Sequence, residues 1–355
     1  MKIYFSYNNP QEVDNPYVRS LTQNIPNLDA NVEFYWGLSD FWNDKCLDYD
    51  IIHIMFPHFL VMGRRHSSKD LEQRLNFLKS NGKIIVSTCH NFVPHYKKQK
   101  KQTQAYELVY KYSDEIYHLE EYSKTVFEKK YPDIPQKLLY HPIYTNAYMT
   151  SSLPSRNEAK EKLGLDRDKK YILCFGAFRD NEERLLILGI YDWLVKNDLY
   201  VLAPSFFRVK KTRNKIAYLY NLLKFRSLKK KFPHIIFSNS RVPENDVPLY
   251  AQACDIGLIQ RIHILNSGNV FLYSLFGKIF VAPDEGNVGV ICKKTGMPSF
   301  DAKDRNSLIK AISEALKLSE NNAGEALKNY AIKNWSLEAF YTKQWEYYKE
   351  IVDKH

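Results

Sequence analysis

Hydrophobic positions along the chain alternate between two spacings. Short apolar runs of strand type occur at Lys2–Tyr7, Val32–Tyr35, Ile51–Phe56, Lys83–Ser87, Glu115–Leu119 and Leu138–Tyr140. Between them stand stretches with apolar residues three and four apart: Tyr17–Ile25, Asp70–Asn81, Thr103–Tyr112 and Ser123–Lys130. Gly82 follows the second of these where a C′ glycine belongs, and Ser123 is placed to cap the fourth. Strands and helices in this order predict a parallel sheet covered on both faces. The texture then changes. Tyr144–Asn157 is polar, with Pro154 and several serines, and reads as a linker. A second alternating set follows, with strands at Tyr171–Phe175, Tyr200–Ala203, Ile235–Ser238, Ile256–Ile259 and Ile279–Ala282. Its helices are expected at Asn157–Leu163, Glu182–Asn197, Asn245–Ala253, Val270–Phe276, Ser307–Leu318 and Ala323–Asn334. Trp335–Asp353 reads as a last helix, rich in aromatics. The fold class predicted is α/β, with two Rossmann-like domains over 1–147 and 155–334.

The 355 residues suit two domains, and 45% apolar with 26% charged residues excludes wholesale disorder. No apolar run approaches the roughly 18 residues of a spanning helix. The first ten residues are too short and polar for a signal peptide and read as a strand. Five scattered cysteines, Cys46, Cys89, Cys174, Cys254 and Cys292, argue against a disulfide framework and a zinc site and point to a reducing cytoplasm. The net charge of +11 is concentrated: Leu199–Pro243 holds no Asp or Glu and eleven Lys or Arg. Within it Ile216, Leu219, Tyr220 and Leu223 repeat at helical spacing among cations. Three readings stay open: a helix packed on its own domain with a solvated basic face, an anionic membrane contact through 208–231, and a nucleic-acid contact. Lys97, Lys98, Lys100 and Lys101 form a smaller cluster.

Candidate chemistry is sparse. There is no GxGxxG after a strand, no P-loop, no Gly-x-Ser-x-Gly and no His-Glu-x-x-His. Asp48-Tyr49-Asp50 opens a buried strand, where Asp50 reads as a solvated start residue rather than a metal ligand. The strongest local signal is Leu265–Leu272, a polar turn of Asn266, Ser267, Gly268 and Asn269 opening into an apolar helix. Free amides and the helix dipole make such an N-terminus an anion site, and Asn266 or Ser267 can equally be a simple cap. His90 ends a strand, where it can serve as a general base or as a structural imidazole. His95 is a further candidate of the same kind. Asn15-Pro16-Tyr17 sits in the first strand–helix connection, either as a helix start or as a substrate contact.

The stretch Val242–Ile291 resembles the C-terminal donor-binding domain of GT-B glycosyltransferases, in the bacterial polysaccharide branch related to glycosyltransferase family four. The resemblance rests on Glu244, Pro248-Leu249-Tyr250, Ala251 with Asp255, Asn266-Ser267-Gly268, Gly277, Val281-Ala282-Pro283 and Gly286. Cys174–Glu183 is similar to the strand–turn that opens that domain, and Val86–Phe92 to the N-domain strand ending in a His. The resemblance implies two domains facing across a cleft, with the last helix, 335–355, packing back on the first. It implies a sugar transferred from a UDP- or GDP-linked donor to a saccharide or lipid-linked oligosaccharide in surface polysaccharide synthesis, at the inner membrane face. Arg179, with Arg184, Asn266, Ser267, Gly268 and Asn269, would hold the diphosphate, so that no divalent metal is required. Val242, Glu244 and Asp255 would lie on the nucleotide side. His90 would be catalytic, and Asn15, Tyr17 and His95 would face the acceptor. Glu182 stands where relatives carry a lysine, and Ile264 and Leu272 replace the retaining family's paired glutamates, which leaves the stereochemical outcome open. Nucleotide-sugar epimerases, pyruvyl transferases and a non-enzymatic binder using 199–243 are the alternatives.

Overall fold

The computed structural model describes residues 1–13, 15–21, 32–94, 100–148, 152–209 and 213–355. His95, Lys97, Lys98, Lys210, Lys211 and the 22–25 part of the first expected helix lie outside the described residues. The chain divides into two compact units, Met1–Pro142 with Trp335–His355, and Ile143–Asn334.

The first unit carries strands β1 (Lys2–Phe5), β2 (Glu33–Trp36), β3 (Ile51–Ile54), β4 (Ile84–Cys89), β5 (Glu115–His118) and β6 (Gln136–Leu138). They form one parallel sheet in the order β2-β1-β3-β4-β5-β6. Its helices are α1 (Pro16–Arg19), α2 (Pro57–Leu60), α3 (Ser68–Ser80), α4 (Lys100–Tyr112) and α5 (Glu121–Lys130). All residues of β3 and β4 are buried, which is why their sequences show no alternation of apolar and polar positions, with His53, Ser87 and Thr88 buried among the apolar residues. One core layer packs Leu71, Leu75 and Leu78 of α3 and Val109 of α4 on Tyr4, Ile52, Ile54 and Ile85. The Ser67–Asp70 capping box starts α3, and Gly82 (φ +69°) takes the left-handed position after it. The strand order is the second common doubly wound arrangement, with its switch point between β1 and β3. Helix α5 is capped by Glu120, whose carboxylate accepts from Glu121 N, and not by Ser123. The Ser123 hydroxyl instead donates to Glu120 O at 3.0 Å and meets His118 Nδ1.

The second unit carries β7 (Lys170–Leu173), β8 (Leu199–Leu202), β9 (Ile235–Ile236), β10 (Ile256–Leu258), β11 (Phe280–Pro283) and β12 (Ser299–Phe300). Their order, β12-β11-β10-β7-β8-β9, reverses between β7 and β10, as in a Rossmann sheet. Around it lie α6 (Arg156–Lys162), α7 (Asn181–Leu188), α8 (Tyr191–Lys196), α9 (Lys215–Lys231), α10 (Val247–Ala253), α11 (Gly268–Leu275), α12 (Gly286–Thr295), α13 (Arg305–Glu320) and α14 (Ala323–Asn334). The stretch expected as one helix over Glu182–Asn197 is two, the first ending at Gly189, where a Cβ would come within 2.9 Å of Arg305 Nε. The sequence reading missed α12 and β12. The polar stretch after Pro142 is not loose throughout: Tyr144 and Tyr148 are buried in this unit. The last helix, α15 (Leu337–Lys354), returns to the first unit, with Phe340, Tyr341, Tyr347, Tyr348 and Ile351 buried.

Candidate functional site

In a doubly wound sheet, ligands bind outside the carboxyl ends of the strands at the switch point. In the second unit this is the edge beyond β7 and β10. Cys174–Asp180 follows β7 and turns at Gly176 (φ +91°), a conformation open to glycine. The turn is held from three sides. Asn269 Nδ2 donates to Phe175 O at 2.8 Å, and Gln260 Nε2 to the same oxygen at 3.4 Å. The buried Tyr273 hydroxyl donates to Leu173 O at 2.7 Å and accepts from Phe175 N at 3.2 Å. Gly257 lets that ring lie flat on β10, since a Cβ there would sit 2.6 Å from it.

Arg179 is half-buried at the end of this turn, and its N–H donates to the carboxylate of buried Glu183 at 2.7 Å. Burial raises the Glu183 pKa, opposed by that hydrogen bond and by the positive charges of Arg261 and Arg179. Two guanidinium groups, one carboxylate and the start of α11 therefore share the edge. The start of α11 carries the Asn266–Asn269 turn. Ser267 is the N-cap, with Oγ accepting from Asn269 N. Asn266 Oδ1 accepts from Asn287 Nδ2 at 2.8 Å. Gly268 leaves room for the Tyr144 hydroxyl, which a Cβ would approach to 2.5 Å. Gly286 (φ +56°) brings the start of α12 against Ile264 and Leu265.

The expected donor residues therefore separate. Arg179, Ser267 and Gly268 converge on the edge. The Asn269 side chain is committed to Phe175 O, so its contribution is to hold the turn. Arg184 donates to the carbonyls of Phe206 (2.9 Å), Asp180 and Phe178 (3.3 Å), which makes it a clamp on the turn and not a free cation. Val242 and Glu244 lie in the β9–α10 connection on the same carboxyl edge. Asp255 does not. It immediately precedes β10, at the amino end of the sheet, where it accepts from Tyr171 N and pairs with Arg156 Nη1, both at 2.8 Å. Sequence reasoning missed Glu183, Gln260 and Arg261. The last two had a readable signal, a polar pair directly after an apolar strand.

The carboxyl edge of the first unit is built differently. His90 follows β4 and is 9% exposed. Its ring stacks on Phe56 (centroids 4.7 Å, 24°) and takes the Tyr17 ring edge-on (4.5 Å, 84°). Tyr17 also leans on His141 at 4.7 Å. Asn15 caps α1, accepting from Tyr17 N at 3.1 Å, so this side chain sets the position of Tyr17. Tyr7 continues the aromatic surface against Phe56 and Phe59, at 5.0 and 5.3 Å. Beneath it, buried His53 meets Thr88 Oγ1 at 2.7 Å and Tyr348 OH at 2.5 Å, tying α15 to β3 and β4. Burial lowers the pKa of His53 and of His141 to about 3. His141 Nδ1 faces Pro142 O at 2.8 Å, so that nitrogen carries the proton. The edge is mainly aromatic. Among the described residues no three His, Cys, Asp or Glu side chains gather as a metal site. Asp50 accepts from Lys2 N at 2.8 Å at the amino edge of the sheet.

No protein-family model and no curated protein sequence matches the chain. Solved structures do. The chain is similar to HepE of Anabaena in complex with UDP-glucose, at 14% identity over 99% of this chain and 100% of that one, TM-score 0.68. It is similar to a glycosyltransferase of Rickettsia africae, at 13% identity over 100% of this chain and 99% of that one, TM-score 0.68. Sucrose-phosphate synthase of Thermosynechococcus elongatus matches at 12% identity over 87% of this chain and 75% of that one, TM-score 0.65. At such identities the likeness is one of fold, and that fold is GT-B.

Proposed function

We propose that the protein is a glycosyltransferase that moves a sugar from a nucleotide-sugar donor to a saccharide hydroxyl. The observation that carries this reading is the edge beyond β7 and β10. It joins Arg179, Arg261 and the amide-rich start of α11 at a Rossmann switch point, within a fold matched over its full length by a protein solved with UDP-glucose. The acceptor oxygen attacks the anomeric carbon, and the bond from that carbon to the diphosphate breaks, leaving its electron pair on the phosphate oxygen. Arg179 and the Ser267–Gly268 amides stabilise that charge, so the reaction proceeds without a divalent ion. His90 takes the acceptor's proton, and the Tyr7–Phe56 aromatic surface stacks on the acceptor ring. The acceptor we propose is a surface polysaccharide or lipid-linked oligosaccharide, in the branch related to glycosyltransferase family four.

Thermal unfolding against a panel of nucleoside diphosphates and nucleotide sugars, with and without magnesium, tests the reading. One nucleotide should stabilise the fold selectively without magnesium, by about 2.7 kcal/mol at a hundredfold excess over Kd, and so raise the midpoint. Arg179→Ala should abolish the shift while leaving the unliganded midpoint nearly unchanged. No shift with any nucleotide would sink the proposal.

A further inference from the structure

Helix α9 (Lys215–Lys231) buries none of its residues. One face still rests on the second unit. Phe225 meets Phe237 edge-on at 5.2 Å and Phe207 at 6.4 Å, and Ala217, Asn221 and Leu228 are half-buried on that side. At about 100° per residue, Ile216, Leu219, Tyr220 and Leu223 line up on roughly the opposite side. They are 82%, 55%, 65% and 54% exposed. A helix that only packs on its own domain needs one apolar stripe, and this one carries two. On the same helical projection Lys224 and Lys231 flank the outer stripe on one side, and Lys215 and Arg226 on the other. Lys230 continues it toward the C-terminal end. Among the described residues none of these five cations forms an ion pair, and no acidic residue occurs from Leu199 to Pro243.

We propose that α9 docks the protein on an anionic bilayer surface. It lies in the headgroup plane with Ile216, Leu219, Tyr220 and Leu223 turned toward the acyl boundary and the flanking cations on lipid phosphates. The chemistry selects this occupant. An interfacial helix gains from both apolar burial and headgroup attraction. A nucleic acid would use the cations and leave four large apolar side chains in water. A second copy of this chain would bring like-charged cation rows together. No helix among the described residues is long and apolar enough to cross a membrane, so the contact is peripheral. The inference does not rest on the donor reading.

The test is sedimentation of the full chain with phosphatidylcholine vesicles, with and without phosphatidylglycerol. Binding should be at least about tenfold stronger to the anionic vesicles. L219E/L223E should weaken it at least about tenfold by removing the apolar contact. R226E/K230E should weaken it further, at roughly fivefold per cation removed, and salt should do the same. All four side chains are exposed, so the melting midpoint and its shift with nucleotide should stay unchanged in both variants, and failure here leaves the donor site standing. Three outcomes would overturn the proposal: equal or no binding to both vesicles, anionic binding that survives L219E/L223E, or a self-association of the parent chain that L219E/L223E abolishes. Tighter binding to a single-stranded polynucleotide than to anionic vesicles would also count against it.

Discussion

The two units share a doubly wound parallel sheet and differ in what they place at its carboxyl edge. In the second unit the edge is polar and carries backbone: a turn hung from Asn269, Gln260 and Tyr273, with Arg179, Arg261 and Glu183 beside the start of α11. In the first unit it is a floor of rings, Tyr7, Phe56, His90, Tyr17 and His141, over imidazoles held neutral by burial. One edge offers fixed positive charge and N–H groups, which suit a diphosphate. The other offers flat apolar faces and one ring nitrogen source, which suit an uncharged sugar and a proton. On the proposed reading, the same scaffold separates anion recognition from proton handling.

The sharpest way to break that division is at His90. His90→Gln should lower kcat by 10²- to 10⁴-fold, the usual contribution of a general base, while the nucleotide-induced melting shift stays intact. Arg179→Ala should do the reverse to the shift. Loss of the shift in His90→Gln would place His90 with the donor and remove the contrast.

The second difference is in how the units meet acid. His53 and His141 have folded pKa values near 3, and His58 and His118 near 4, each through burial, against 6.5 for a free imidazole. The unfolded chain therefore binds more protons below about pH 6.5, and stability falls as pH drops. At pH 5 each imidazole costs about 2 kcal/mol. Glu115 acts oppositely, because burial lifts its pKa to about 7, so its contribution grows as pH falls from 7 and returns about 2 kcal/mol. With four such imidazoles against Glu115, the net loss for the first unit between pH 7 and 5 is about 6 kcal/mol, on the order of 10–20 °C in midpoint. The second unit has no buried histidine among its resolved shifts, and its lowered carboxyl pKa values, those of Glu158 and Glu320, belong to exposed side chains. Its buried Glu183 has a raised pKa and gains as pH falls. Calorimetry at the two pH values should show one transition moving down and the other holding. Equal movement of both would mean that the histidines are not what differs.

Much of this was legible in the sequence because buried parallel strands read as continuous apolar runs, and the helices between them keep their spacing. What was not legible has local causes. Helix α12 carries Gly286 and Gly289, which read as loop. Gly286 is needed where the backbone meets Ile264, and Gly289 where a Cβ would strike Asp284. His53 sat inside an apolar run and was passed over, although a lone imidazole in a buried strand must find partners, here Thr88 and Tyr348. Asp255 followed from the resemblance alone. Its place before β10, not after it, already put it at the edge away from a switch-point site. Glu183 fell in a charged run with no sign of burial, Arg184 was expected at the diphosphate, and only the folded turn shows the first buried and the second bonded to carbonyls.

Arg184 gives the smallest effect and the finest division within the second edge. The resemblance puts both Arg179 and Arg184 at the diphosphate. In the structure Arg184 closes the turn onto Phe206 through its Nε, with Phe178 and Asp180 taken by the other two nitrogens. Removing it leaves those carbonyls to water or unpaired. Arg184→Ala should therefore lower stability by about 1–2 kcal/mol, most of it in the second unit's transition. Nucleotide affinity should fall less than tenfold, because Arg179 keeps its backbone bond to Glu183. Arg184→Lys should recover little, since one ammonium cannot span three carbonyls in the plane of a guanidinium. Isothermal titration beside calorimetry separates the two quantities. If Arg184→Ala abolished nucleotide binding at unchanged stability, Arg184 would be a phosphate ligand and the clamp would belong to the unliganded turn alone.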